Sequence, residues 1–150
     1  MGIKQMKFYF AGSIRAGRAD INVYQELIGF LHNYGQVLTE QVGSAGLEGE
    51  VGLSEAEIFE RDLHWLREAD LFIAEVTTPS LGVGYEIAVA ESLGKPVLCL
   101  YNLGPGKKLS AMLLGNQKIA VHEYQTLAEA KAYIDEFIAG HAWQMFGARN

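Results

Sequence analysis

Residues 70–76 read DLFIAEV and run straight into residues 77–86, TTPSLGVGYE. A short apolar run bounded by turn residues marks a strand buried on both faces, and the Thr, Pro, Ser and Gly that follow mark its end. After them the spacing predicts a helix over 85–93, with Gly94 suited to its C-terminal cap and Pro96 just beyond. The same alternation extends outward on both sides. Residues 6–11 (MKFYFA) form a buried strand ending at Gly12. Ile21, Tyr24, Leu27, Ile28 and Leu31 then recur at helical spacing over 19–34, and Gly35 closes that segment. Residues 36–40 (QVLTE) read as a second strand, and 41–53, with four glycines and little periodicity, as a long loop. Loops of that length often act as lids or binding loops. Ser54 and Glu57 form a capping-box pattern ahead of a helix carrying Ile58, Asp62, Trp65, Leu66 and Ala69 on one stripe. Downstream, 96–101 (PVLCLY) is a strand, 109–114 a short helix, 119–122 an edge strand and 127–138 a helix.

Strands alternating with helices, with strands this apolar, predict an α/β fold: a three-layer, Rossmann-like or flavodoxin-like open parallel sheet of five strands, covered by helices on both faces. Ligands in such folds collect at the carboxyl ends of the strands, where strand order reverses. The loops after Ala11, Glu40, Val76 and Tyr101 are therefore the ones to inspect. Fold alone does not specify chemistry.

The chain has 150 residues, 49% of them apolar and 20% charged. That length favours one domain spanning 1–150, able to bury a core without disulfides or metal. The tail 141–150, with Trp143, Met145 and Phe146, either packs on the body or a partner or is disordered. A net charge of −6 argues against a nucleic-acid polymer as partner while allowing one local anion pocket. The lone Cys99 fits a reducing compartment. No apolar run approaches the ~18 residues needed to span a bilayer. The start of the chain has no signal-peptide core, and Met6 breaks the myristoylation pattern that Gly2 suggests. The expectation is a soluble cytoplasmic protein with no membrane partner.

Four places could carry chemistry. The first is GSIRAGRAD, residues 12–20, after the first strand. Gly12 permits close backbone approach, Ser13 offers a hydroxyl, Arg15 and Arg18 offer charge, and amides entering the next helix favour an anion such as phosphate. Ile14 stands where a dinucleotide fingerprint needs its second glycine. An ordinary strand-to-helix turn fits this segment equally. The second is the loop holding Ser80, Gly82 and Gly84, with Glu86 expected in the first helical turn. There Glu86 is explained either by the helix dipole or by a role at the sheet's carboxyl edge. Asp62 is the third: a carboxylate on an apolar stripe is unusual unless paired or functional, and Arg61 and Arg67 stand nearby as surface partners. Tyr9 is the fourth, and by itself reads as core, its hydroxyl needing a partner if buried.

Other constellations fail. His32, His64, His122 and His141 lack ligand spacing, and Cys99 lies in an apolar strand, so neither metal nor cofactor is expected. Residues 104–110 (GPGKKLS) lack the Lys followed directly by Ser or Thr of a P-loop, leaving Lys107 and Lys108 as solvated charges.

In combination, YFAGSIRAGRAD (9–20), VLTE (37–40), the Asp62-Leu-x-Trp-Leu-x-x-Ala-Asp70 segment, AEVTTPSLGVGYE (74–86) and LSAM (109–112) resemble the 2′-deoxynucleoside 5′-monophosphate N-glycosidase family (Rcl-type) of the nucleoside 2-deoxyribosyltransferase superfamily. The similarity runs from about residue 6 to residue 138. It implies hydrolysis of the N-glycosidic bond of deoxynucleoside monophosphates to a free base and deoxyribose 5-phosphate. It further implies Glu86 as nucleophile, Asp62 as acid/base near the base, and Tyr9 orienting the nucleophile and touching the sugar. By the same resemblance, Gly12, Ser13, Ile14, Arg15, Ser80 and Gly82 hold the phosphate, together with Ser110 from the neighbouring subunit of a homodimer. Gln41 stands where that family often has His, a departure in the loop after the second strand. The rival readings are a transferase moving deoxyribose between bases, a ribonucleotide (CMP-type) N-glycosidase, and a non-catalytic nucleotide-binding module.

Overall fold

A computed structural model describes residues 5–15, 17–44 and 51–146. Its five strands are β1 (Met6–Ala11), β2 (Gly35–Val37), β3 (Leu71–Glu75), β4 (Val97–Tyr101) and β5 (Ala120–Glu123). They form one all-parallel sheet in the order β2-β1-β3-β4-β5. Helices α1 (Arg18–Leu31), α2 (Glu55–Glu68), α3 (Leu81–Ser92), α4 (Ala111–Leu114) and α5 (Leu127–Phe146) make the crossovers and the C-terminal cover. The three-layer parallel α/β sheet expected from the sequence is present.

Side chains alternate across a strand, and β1 divides accordingly. Met6, Phe8 and Phe10 enter one apolar layer with Tyr24, Leu27 and Leu31 of α1 and Ile134 of α5. Tyr9 and Ala11 enter the opposite layer with Leu66 of α2 and Val83, Ile87 and Ala90 of α3. Register pairs Tyr9 with Phe72 and Ala11 with Ala74, and the Tyr9 and Phe72 rings stack with centroids 5.2 Å apart. Because β2 lies on one side of β1 and β3 on the other, strand order reverses between β1 and β3. Their carboxyl ends therefore open a crevice beneath α2 and α3.

Several boundaries depart from the sequence reading. The second strand stops at Val37 rather than at residue 40. Beyond it the Leu38 amide still donates to Phe8 O (2.9 Å). Buried Thr39 then stands in for a ladder residue: its Oγ1 accepts from the Phe10 amide (2.9 Å) and donates to the Phe10 carbonyl (2.6 Å). A 3-10 turn follows over Glu40–Gly43; residues 45–50 of the expected long loop lie outside the described residues. Helix α3 begins at Leu81, four residues before its expected start, so Gly82 and Gly84 are helical rather than loop. Helix α5 runs on to Phe146, so the expected tail is helical up to there, with Trp143 exposed; residues 147–150 are outside the description. Among the described residues no helix is long and apolar enough to cross a membrane.

Candidate active site

A cleft of about 720 Å³ occupies the crevice between the β1 and β3 ends. Tyr9, Gly12, Ser13, Ile14, Arg15, Asp62, Ser80, Gly82 and Glu86 all line it. Ser110 does not: it caps α4 on the exposed surface, its Oγ accepting from the Met112 amide at 3.2 Å. The loop after Tyr101 likewise contributes no lining residue.

Each wall follows from local structure. On β1, Tyr9 is 2% exposed, and its hydroxyl hydrogen-bonds the Glu86 carboxylate. Burial, reinforced by the negative charges of Glu86 and Asp62, pushes the phenol well above its ordinary range. It therefore remains a hydrogen-bond donor at any working pH. Glu86 lies in the second turn of α3, because the helix starts early. The helix-dipole explanation, which needs a first-turn carboxylate, is thereby removed.

Ser80 is the α3 N-cap, its Oγ accepting from the Val83 amide (3.2 Å). A hydroxyl has one donor and two acceptor positions, so that bond does not consume the Ser80 proton. Facing it, the β1 loop is held tightly. A Cβ on Gly12 would lie 2.7 Å from the Tyr24 ring, and only glycine lets that ring come so close. The Tyr24 hydroxyl in turn accepts from the Ser13 amide (3.1 Å), so this amide already has a partner in the loop. Thr78 Oγ1 donates to Asp20 Oδ2 (2.6 Å), fastening the β3–α3 loop to the start of α1.

The stripe on α2 is divided between two environments. Ala69 is buried in the core, Leu66 is buried and also reaches the cleft, and Ile58 and Asp62 line the cleft. A carboxylate on an apolar stripe is thus accounted for: its half of the stripe faces a ligand-sized space. Burial raises the Asp62 carboxyl, and the ion pair with Arg61 at 3.0 Å pulls it back down, leaving a net rise. The surface partner foreseen for Asp62 is real, but it sits inside the cleft wall; Arg67 takes no part in it.

Gln41, the departure noted in the loop after the second strand, lines the cleft; Thr39, Glu55, Phe59, Arg61 and Tyr85 also line it and were not singled out as lining residues. Phe59 and Tyr85 face each other with ring centroids 6.3 Å apart and are 45% and 57% exposed, forming an open aromatic rim. Two exposed aromatics on separate helices carry no sequence signal of proximity. Among the described residues no group of three or more His, Cys, Asp or Glu is arranged to hold a metal ion.

The arrangement offers one carboxylate gripped by a buried phenol, a second carboxyl of raised proton affinity, serine and glycine loops, and an apolar rim. Comparison with known proteins assigns the chain to a family. The nucleoside 2-deoxyribosyltransferase family model matches residues 8–130. A Mus musculus 5-hydroxymethyl-dUMP N-hydrolase is 53% identical over 110 residues, covering 71% of this chain and 64% of that protein. An Esox lucius protein of the same name is 42% identical over 142 residues, covering 90% of this chain and 97% of that protein. In fold, the chain is similar to Clostridium botulinum CMP N-glycosidase, with a TM-score of 0.65 at 22% identity over 87% of this chain and 98% of that one. With its match running from Phe8 in β1 to Ala130 in α5 and taking in every cleft-lining residue, the chain belongs to the nucleoside 2-deoxyribosyltransferase family.

Proposed function

We propose that this chain is an enzyme that hydrolyses the N-glycosidic bond of 2′-deoxynucleoside 5′-monophosphates, releasing the free base and 2-deoxyribose 5-phosphate. The observation that carries the reading is the Tyr9–Glu86 hydrogen bond inside a cleft that Asp62 also lines. The names of relatives sharing 42% to 53% identity support the substrate class, with 5-hydroxymethyl-dUMP as the first substrate to try.

Breaking the C1′–N bond builds positive charge on the sugar. A carboxylate below C1′ stabilises that charge and can trap it covalently, as in retaining glycoside hydrolysis. In the first step the C1′–N bond breaks, a C1′–O bond to Glu86 forms, and Asp62 gives its proton to the departing base. Water then attacks C1′ and returns a proton to Asp62 as the ester to Glu86 breaks. Burial of Asp62 suits this role, because it keeps a larger share of the carboxyl protonated. Tyr9 fixes the Glu86 carboxylate by donating to it.

The phosphate goes to Gly12, Ser13, Ile14 and Arg15 on one side and Ser80 and Gly82 on the other. Hydroxyls and amides suit a phosphate monoester without a basic surface. Ser110 joins them from the neighbouring subunit of a homodimer. Support for that comes from its exposure, a hydroxyl that accepts from the Met112 amide and donates to no described residue, and the apolar Met112 and Leu81, which are 82% and 97% exposed. Residues 1–150 act as one domain, in the cytoplasm, where a lone thiol such as Cys99 stays reduced.

The direct test is incubation with each deoxynucleoside monophosphate, including 5-hydroxymethyl-dUMP, followed by chromatography for free base. Deoxynucleosides with and without an acceptor base, and CMP, are run in parallel. Base release from the deoxynucleotides alone is expected. Release from deoxynucleosides only with an acceptor means a transferase, and equal cleavage of CMP and dCMP removes the deoxy preference. Sedimentation velocity reads the dimer.

A further inference from the structure

Neighbouring residues on a helix do not face each other, yet Arg61 folds back onto Asp62. Its Nε and Nη2 both reach Asp62 Oδ1, each at 3.0 Å. Behind it, the guanidinium lies 4.8 Å from the centroid of the Trp65 ring, and Trp65 packs against the core layer shared by α2 and α3. A cation held against an aromatic face in this way loses much of its freedom. The two charged side chains are only 20% and 24% exposed, and both line the cleft. The i,i+4 contact with Trp65 holds the guanidinium in place, and both of its bonds go to the same oxygen of a carboxyl in the cleft wall.

We propose that Arg61 is a positioning residue: it pins Oδ1 of Asp62 and leaves Oδ2 as the oxygen that exchanges a proton with the departing base. The inference rests on the hydrolase reading above and deepens it. Arg61 cannot itself be the acid, because a guanidinium does not give up its proton in a protein. In base departure the proton passes from Oδ2 to the base nitrogen, and in hydrolysis the attacking water returns a proton to Oδ2. Arg61 donates both hydrogen bonds throughout and neither gains nor loses a proton. The ionisable groups sharing the cleft with Asp62 are Tyr9 from β1, Arg15 from the β1–α1 loop, Glu55 and Arg61 from α2, and Tyr85 and Glu86 from α3. Of these, Arg61 alone grips it directly among the described contacts, opposing the effect of burial. An acid that must donate in one step and accept in the next needs both influences in balance.

The test uses the full chain and two substitutions, Arg61→Gln and Arg61→Lys. Aspartate carboxyls are followed by ¹³C NMR titration, with Asp62→Asn identifying the Asp62 signal. Free-base release from 5-hydroxymethyl-dUMP is measured across the same pH range. In Arg61→Gln the Asp62 midpoint should rise by about one pH unit. The alkaline limb of kcat should rise with it, while KM changes little. Arg61→Lys, which keeps the charge without the two-donor fork, should show a smaller displacement in both readouts and covers the case that the glutamine variant fails to fold. An Asp62 midpoint unchanged in a folded variant overturns the clamp. A kcat limb that moves without the Asp62 signal overturns it too. If the native chain releases no base from any deoxynucleotide, the hydrolase reading falls, and the proton-exchange role of Asp62 that Arg61 serves falls with it.

Discussion

The Tyr9 hydroxyl donates to the Glu86 carboxylate from the middle of a strand whose Met6, Phe8 and Phe10 serve the core. A strand holds its side chains more rigidly than a loop does, and the 5.2 Å stack on Phe72 fixes the ring further. In Tyr9→Phe the stack survives and only the donor is lost. A hydrogen bond to a charged group contributes about 1.5–3 kcal/mol, so kcat should fall roughly 10- to 100-fold. Circular dichroism should be unchanged, and steady-state base release checks the rate. A variant with native kcat would remove Tyr9 from the machinery.

Glu86 is tested by an isosteric change. Glu86→Gln keeps a carbonyl oxygen for Tyr9 to donate to and removes the anion that stabilises or traps the sugar cation. Turnover should drop to background while calorimetric binding of a deoxynucleoside monophosphate persists. Retention of full activity would leave Glu86 as a helix residue only and would move the search for the nucleophile to Asp62.

The sheet was legible because its strands are bounded apolar runs, and the capping box at Ser54 and Glu57 is present as read, with reciprocal bonds of 2.7 and 3.2 Å. The α3 start was missed for a physical reason. Glycine costs a helix up to about 1 kcal/mol, so Gly82 and Gly84 read as loop, yet Val83, Ile87 and Ala90 bury enough apolar surface to override them. The end of β2 was overrun because Thr39 imitates strand pairing through its side chain. The proposed phosphate and catalytic positions were legible through resemblance. Arg61, Phe59 and Tyr85 were not: as isolated residues they look like solvated helix surface, and only the packing of α2 beside α3 brings them to one cleft.

Gly82 separates stability from function. A Cβ added there would lie 3.8 Å from Ser80 Oγ and 4.0 Å from Glu86 Oε1, ordinary contacts that require no backbone shift. Gly82→Ala should therefore raise the melting temperature or leave it unchanged, since alanine favours the helix by up to about 1 kcal/mol. The added methyl group stands in the space between the serine and the carboxylate, where the sugar phosphate must pass. A misplaced substrate can cost on the order of 100-fold, so kcat/KM should fall by that order while thermal stability does not. Unimpaired turnover would show that substrate lies elsewhere in the cleft.

Glu75 supplies a pH prediction independent of the active site. It is 1% exposed at the end of β3 and accepts from the Thr77 amide (3.1 Å), the Thr77 hydroxyl and the Tyr124 hydroxyl. Burial, with a smaller contribution from Asp20, pushes it up from 4.5 to about 7 despite those donors. The folded chain therefore binds the Glu75 proton more tightly than the unfolded chain does. Between pH 4.5 and 7 the native state holds more protons, so this group's contribution to stability is full below 4.5 and is lost as pH rises through 7. The size is about 3 kcal/mol at 1.36 kcal/mol per pH unit. Glu75→Gln removes that dependence while trading an acceptor for a donor at every pH. Denaturant unfolding of both proteins at pH 4.5 and pH 7.5 isolates it: the stability of the glutamine variant relative to native should improve by about 3 kcal/mol across that interval. A difference that stays constant with pH would mean that Glu75 ionises at its ordinary value in the folded chain.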